Sequence, residues 1–157
     1  MFRAKRAIFI IIIWIKICFC KDLFSQSISV TGDWVLTINQ TNLQAGAGSD
    51  LDSTYTSITD QVNVGINMGK VTWTVYVDKS DINWLSNIQI YVRRRSSHGK
   101  KVTGGTSWQQ VNLSSQTFFQ GRRTVNNIKV QCGLKGVSLQ IPPDTYTGII
   151  TYPVMEI

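Results

Sequence analysis

Three arginines in a row, Arg93, Arg94 and Arg95, are the densest charge in the chain, and Lys100 and Lys101 follow closely. Arg122, Arg123 and Lys129 add to them. Two tryptophans, Trp84 in DINWLSN and Trp108 in GGTSWQQV, lie in polar surroundings rather than in apolar runs. Exposed indole rings stack on sugar rings, and guanidinium groups pair with carboxylate, sulfate or phosphate. Trp84, Trp108, Arg93 and Arg95 are therefore the candidate contacts for a glycan or an acidic surface polymer. On a strand Arg93 and Arg95 share one face and Arg94 takes the other. The plainer alternative is a solvated strand end whose charge deters edge-to-edge aggregation.

Other chemistry is thinly represented. His98 is the single histidine, between Ser97 and Gly99, and no G-x-S-x-G nucleophile elbow accompanies it. Asp50 and Asp52 open a D-x-D pattern that Ser53, Thr54 and Tyr55 do not continue as a calcium loop. Asp78 and Asp81 flank Lys79 and Ser80 in what reads as a second turn. No catalytic, cofactor or metal set is expected, and the chain is not expected to be an enzyme. Asn39-Gln40-Thr41 and Asn112-Leu113-Ser114 fit the N-glycosylation pattern, a short signal.

The chain opens MFRAKRAIFIIIIWIK. A basic start followed by an apolar run is the layout of a secretory signal. The run from residue 7 to residue 15 is shorter than the roughly 20 residues a spanning helix needs. A signal peptide over residues 1–27 is expected, cut after about residue 20 or 27. Membrane contact would come only through an uncleaved signal segment. The full chain carries 16 basic and 9 acidic residues. Without Arg3, Lys5, Arg6 and Lys16 the balance is 12 against 9, a net of +3. That is too little charge to expect a nucleic-acid partner. Cys18 and Cys20 leave with the signal, so Cys132 stands alone as a buried apolar side chain or an intermolecular partner.

Residues 28–157 read as one domain. Its apolar residues alternate with period two, as strands require. The sets are Trp34, Leu36 and Ile38; Val62, Val64 and Ile66; Val71, Trp73, Val75 and Val77; Ile88, Ile90 and Val92; Ile128, Val130, Cys132 and Leu134; Val137, Leu139 and Ile141; and Tyr146, Ile150, Tyr152 and Val154. Ile66-Asn67-Met68-Gly69-Lys70 predicts a tight hairpin, and residues 95–100 a longer one. The fold class is all-β: an Ig-like, Greek-key β-sandwich of about seven to nine strands, preceded by an N-terminal signal helix. Pro153 inside the last set marks a strand at an edge or one that bends.

Three stretches carry a resemblance. They are SISVTGDWVLTI (residues 27–38), VNVGINMGKVTWTVYV (residues 62–77) and SLQIPPDTYTGIITYPV (residues 138–154). Together they resemble secreted bacterial β-sandwich domains of the pilin and spore-coat-U type, in which a turn and then a Gly-Thr-Tyr or similar step launches an alternating final strand; Asp144-Thr145-Tyr146-Thr147-Gly148 stands in that place here. The resemblance implies a non-enzymatic surface-structural subunit that associates through strand edges. It lacks the cysteine pair of fimbrial subunits. The assembly elements it points to are Ile28, Val30 and Trp34 at one end, and Ile150, Tyr152 and Val154 at the other. Partners would be further copies in an oligomer or filament, or other cell-surface proteins. The location would be extracellular or at the cell surface, the periplasm included. The alternative reading is a carbohydrate-binding or adhesive module built on the tryptophans and the basic strand end.

Overall fold

The computed structural model describes residues 26–157. The expected signal peptide and its helix, with Cys18 and Cys20, lie outside these residues, apart from Gln26 and Ser27. No helix among the described residues is long and apolar enough to cross a membrane.

The described chain is all-β. Eleven strands form two antiparallel sheets: β1 Ser27–Thr31, β2 Thr54–Thr56, β3 Val62–Asn67, β4 Thr72–Asn83, β5 Gln89–Arg94, β6 Val102–Gly104, β7 Gln109–Gln110, β8 Gln116–Arg122, β9 Val125–Lys135, β10 Thr147–Thr151 and β11 Val154–Glu156. The first sheet runs β1-β3-β9-β5-β7, with β2 also on β9. The second runs β10-β4-β8-β6, with β11 also on β4. This is consistent with a β-sandwich. The count exceeds the expected seven to nine because β2, β6, β7 and β11 have three residues or fewer. Such pieces are too short to show a period.

The core is built by the alternating sets. Val62, Val64 and Ile66 of β3, Ile90 and Val92 of β5, and Ile128, Val130 and Cys132 of β9, all from the first sheet, form one cluster with Trp73, Val75 and Val77 of β4 in the second. β-Branched residues suit these half-buried pleats. Trp73 is wholly buried, and its indole N–H donates to the Arg123 carbonyl at 2.7 Å. That bond removes the cost of an orphaned buried donor.

Three sequence expectations about turns are corrected. Residues 66–70 do not close a hairpin, because β3 pairs with β1 and β9 while β4 pairs with β8, β10 and β11. Both edges of β3 are occupied, so the turn carries the chain into the other sheet. Residues 95–100 do the same, from β5 in the first sheet to β6 in the second. Indeed, no two strands consecutive in the chain pair with each other among the described residues. Asp78 and Asp81 do not lie in a turn. They belong to β4, which continues to Asn83 because β10 pairs along it.

Two expected strands are absent. Residues 33–38 form no ladder, although Trp34, Leu36 and Ile38 are half-buried in alternation with exposed neighbours. The β1–β3 pairing ends at Thr31 opposite Asn63, where β3 itself has nearly run out. Gly32, at φ +116°, then turns the chain aside; a side chain there would collide with the Gln61 carbonyl. Residues 137–141 form a turn beyond Gly136, whose φ is +86°, and Leu139 is exposed.

Candidate functional site

The C-terminal strand lies on the open edge of the second sheet. Gly148 pairs with Asp81, Thr151 with Asp78, Val154 with Val75 and Glu156 with Trp73. These pairs share one register, so β10 and β11 are one strand interrupted at Pro153. The Pro153 carbonyl accepts from the Tyr76 N–H at 2.8 Å, and the Ile157 N–H donates to Thr72 at 3.1 Å. The main chain of odd-numbered residues here turns toward β4. By the alternation of an antiparallel ladder, the main chain of Ile150, Tyr152, Val154 and Glu156 turns away. The expected edge position of the strand is found. The donor Pro153 lacks is one that would have faced inward, to Tyr76.

β1 is the corresponding edge of the first sheet. The two edges lie on the same side of the molecule, since the Gln26 side chain donates to the Glu156 carboxylate at 3.1 Å. Ile28 on β1, and Ile150 and Val154 on the last strand, pack against the core. Val30, Ile149 and Met155 stand 43%, 47% and 57% exposed beside it. Trp34 packs on the core from the unpaired segment, where residues 34–38 make no main-chain hydrogen bond among the described residues. The opposite edges, β6 and β7, have three and two residues.

Tyr152 points from the last strand into the core, with its ring 6.2 Å from that of Phe118. Its hydroxyl is buried without a hydrogen-bond partner. Burial, and secondarily the nearby Cys132 thiol, push its pKa upward. Burial likewise raises Cys132 to about 11. Cys132 is a free cysteine, 4% exposed. At neutral pH both groups are therefore un-ionised.

The four candidate glycan contacts are not one cluster. Trp108 and Arg93 meet: the guanidinium stacks 4.4 Å from the indole centroid, and Arg93 Nε donates to Gln131 at 3.0 Å. Trp108 precedes β7, whose register places Gln110 opposite Tyr91 and Gln109 opposite Val92. One step further along that register brings Trp108 opposite Arg93. The far edge of the indole lies over Gly133. Trp84 is elsewhere, packed against the core beside Gly148 and Ile90, its N–H donating to the Ile88 carbonyl at 2.8 Å. Arg95 lines a separate open depression with Thr59, Asp60 and Lys129. Arg94 points inward and is buried, its guanidinium donating to the carbonyls of Gly104 and Ser96. Burial lowers its pKa.

Residues that the sequence did not single out complete the surroundings of Trp108. Tyr91, Lys135, Thr54 and Thr56 line a shallow recess of about 50 Å³ with Trp108 and Gly133. Lys135 Nζ lies 4.7 Å from the Tyr91 ring centroid. One signal was available: a glycine inside the alternating β9 pattern marks a close approach of some other group.

The acidic residues hold loops and strands. Asp50 accepts from the Leu139 and Leu51 backbone N–H groups, which lower its pKa, and Lys79 and Asp81 form an ion pair at 2.7 Å. His98 lies within 3.1 Å of the Ser96 hydroxyl. Among the described residues no group of three His, Cys, Asp or Glu side chains is placed to hold a metal ion. No family model, curated protein or solved structure matches this chain.

Proposed function

We infer that this chain is an exported, surface-structural subunit that associates with copies of itself, or with other cell-surface proteins, by adding a strand to its open edge. One observation carries the reading: a last strand in a single register from Gly148 to Glu156, with its outer edge unpaired. Unpaired strand edges are templates for a further strand, and proteins that stay monomeric blunt them with charge or brevity. This edge is long, and its exposed side chains include Ile149 and Met155. The opposite edges are short, as a blunted edge should be. Connections that cross between the sheets fit an Ig-like, Greek-key sandwich, and the basic, apolar N-terminal segment fits export. The likeness to pilin and spore-coat-U-type domains points the same way. In this reading the protein needs no cofactor and performs no catalysis.

Light scattering and negative-stain microscopy across a concentration series test this. Multimers or filaments are expected. Adding Ile149→Lys and Met155→Lys should return the protein to monomers with an unchanged melting temperature, because both side chains point outward. A wild-type protein that stays monomeric at every concentration sinks the reading.

A further inference from the structure

The outer face of the first sheet carries an arrangement that edge association does not use. Along β9, Lys129, Gln131, Gly133 and Lys135 point to that face, and along β5 Tyr91 and Arg93 join them in register. Arg95 follows, its N–H donating to the Lys129 carbonyl at 2.7 Å. Lys129 to Lys135 spans roughly 20 Å at about 3.3 Å per residue. The result is a stripe of four cations, Lys135, Arg93, Arg95 and Lys129, with Trp108 and Tyr91 between its ends. Asp60 meets the stripe at one end, 3.9 Å from Lys129.

The dimensions select the occupant. Pockets that enclose small molecules run to roughly 300–1,000 Å³, and the recess beside Trp108 holds about 50 Å³. That is room for one or two waters at about 30 Å³ each, or for one methyl-sized substituent. A ligand must therefore lie along this face rather than enter it. The positive stripe excludes cationic ligands and favours a chain with repeated negative charge. A stacked nucleobase needs a whole ring face. Arg93 already covers Trp108, and Lys135 lies over Tyr91. Arg93 does not line the recess, so it backs a part of the indole that the recess does not use. A sugar asks for less. Its C–H edge would meet the remaining aromatic surface and a small substituent would drop into the recess, which Thr54 and Thr56 help to line.

We propose that this face, centred on Trp108 over Gly133, is a binding site for a linear acidic polysaccharide whose sugars carry carboxylate or sulfate. Arg93 and Gln131 fix the indole. Lys135, Lys129 and Arg95 meet the acidic groups.

Titration of the purified protein with oligogalacturonate, a heparin-derived oligosaccharide, neutral dextran and an oligothymidylate, followed by calorimetry and tryptophan fluorescence, tests this. Binding to one or both acidic oligosaccharides, weakening with salt and absent for dextran, is expected. The preferred acid distinguishes a carboxylated from a sulfated source. Lys135→Gln, an exposed change that spares the fold, should weaken binding about threefold to tenfold, and Trp108→Ala at least about tenfold. Trp84→Ala should leave affinity unchanged in the protein that remains folded. Failure of both acidic probes, equal binding of dextran, tighter binding of oligothymidylate, or an unchanged affinity in Lys135→Gln would overturn the proposal. Edge association does not depend on the outcome, since the edge-lysine variant would retain this site.

Discussion

The benzo edge of Trp73 occupies the space where Gly121 would carry a side chain. A Cβ on Gly121 would lie 2.3 Å from Cη2 of the indole and 2.8 Å from the Lys101 carbonyl. Trp73 on β4 and Gly121 on β8 are cross-strand partners. The glycine lets the largest core side chain lie against its own sheet.

Gly121→Ala therefore cannot be absorbed by a flexible neighbour. Overpacking a full core costs about 1–3 kcal/mol, occasionally more, and this site belongs at the upper end because indole and backbone both block the methyl. Urea unfolding should show a loss of about 3 kcal/mol. A variant as stable as the parent would refute the packing account.

Arg94 and Arg95 are adjacent in sequence and opposite in environment. Arg94→Met should cost about 2 kcal/mol, because it leaves the Gly104 and Ser96 carbonyls without their donors. Arg95→Met, on the solvated side, should stay within about 0.5 kcal/mol. Equal effects in thermal melts would contradict the burial of Arg94.

Alkaline pH should destabilise the protein through Cys132 and Tyr152. The unfolded chain releases the thiol proton near the ordinary value of 9.0, and the folded chain holds it to about 11. Between those values the folded state binds more protons than the unfolded one, so stability falls as pH rises. The contribution is complete below pH 9 and amounts to about 3 kcal/mol by order of magnitude. Tyr152 adds to the decline above its ordinary value of 10.0. Tyr152→Phe removes a hydroxyl that has no partner. It should leave stability at pH 7 unchanged or higher by up to about 1 kcal/mol, and make the fall above pH 10 shallower. A steeper fall in Tyr152→Phe would reverse the sign of the argument.

Trp108 reports on its own seat. A Cβ at Gly133 would lie 3.2 Å from Cη2 and Cζ3 of the indole. Gly133→Val should lift the ring from the sheet, shift tryptophan emission to the red and cost about 1–3 kcal/mol. The same emission change should be missing when the substitution is made together with Trp108→Phe.

The core was readable in the residues because β3, β4, β5 and β9 each bury one face, and burial imposes period two. The pattern misled where alternation had another cause. Residues 33–38 alternate in burial without a neighbouring strand, and residues 137–141 alternate in a turn held partly by Asp50. Pairing was harder to read, because a turn sequence such as Asn67-Met68-Gly69 reverses a chain without saying which sheet receives it. Of the recess, Trp108 stood out by residue type, as did Arg93, which stacks on it. Tyr91, Lys135, Thr54 and Thr56 reach it only through the register of three strands, which local sequence does not encode. Trp84 stood out equally, yet the polar residues around it sit at the end of β4 while its ring folds inward.

The absence of pairing between successive strands governs how the protein must fold. Apart from the small bridge between Leu43 and Leu51, no local pairing can form early and template the rest; the nearest ladder between strands joins β6 to β8 across the whole of β7. Every other ladder waits for a longer loop to close. Chains dominated by such distant contacts reach the native state in milliseconds to seconds rather than microseconds. During that interval the strands stand unpaired, the one whose outer edge later stays open among them. If chains associate through that edge, as proposed, they would meet one another while still incomplete, and collapse and assembly would compete kinetically.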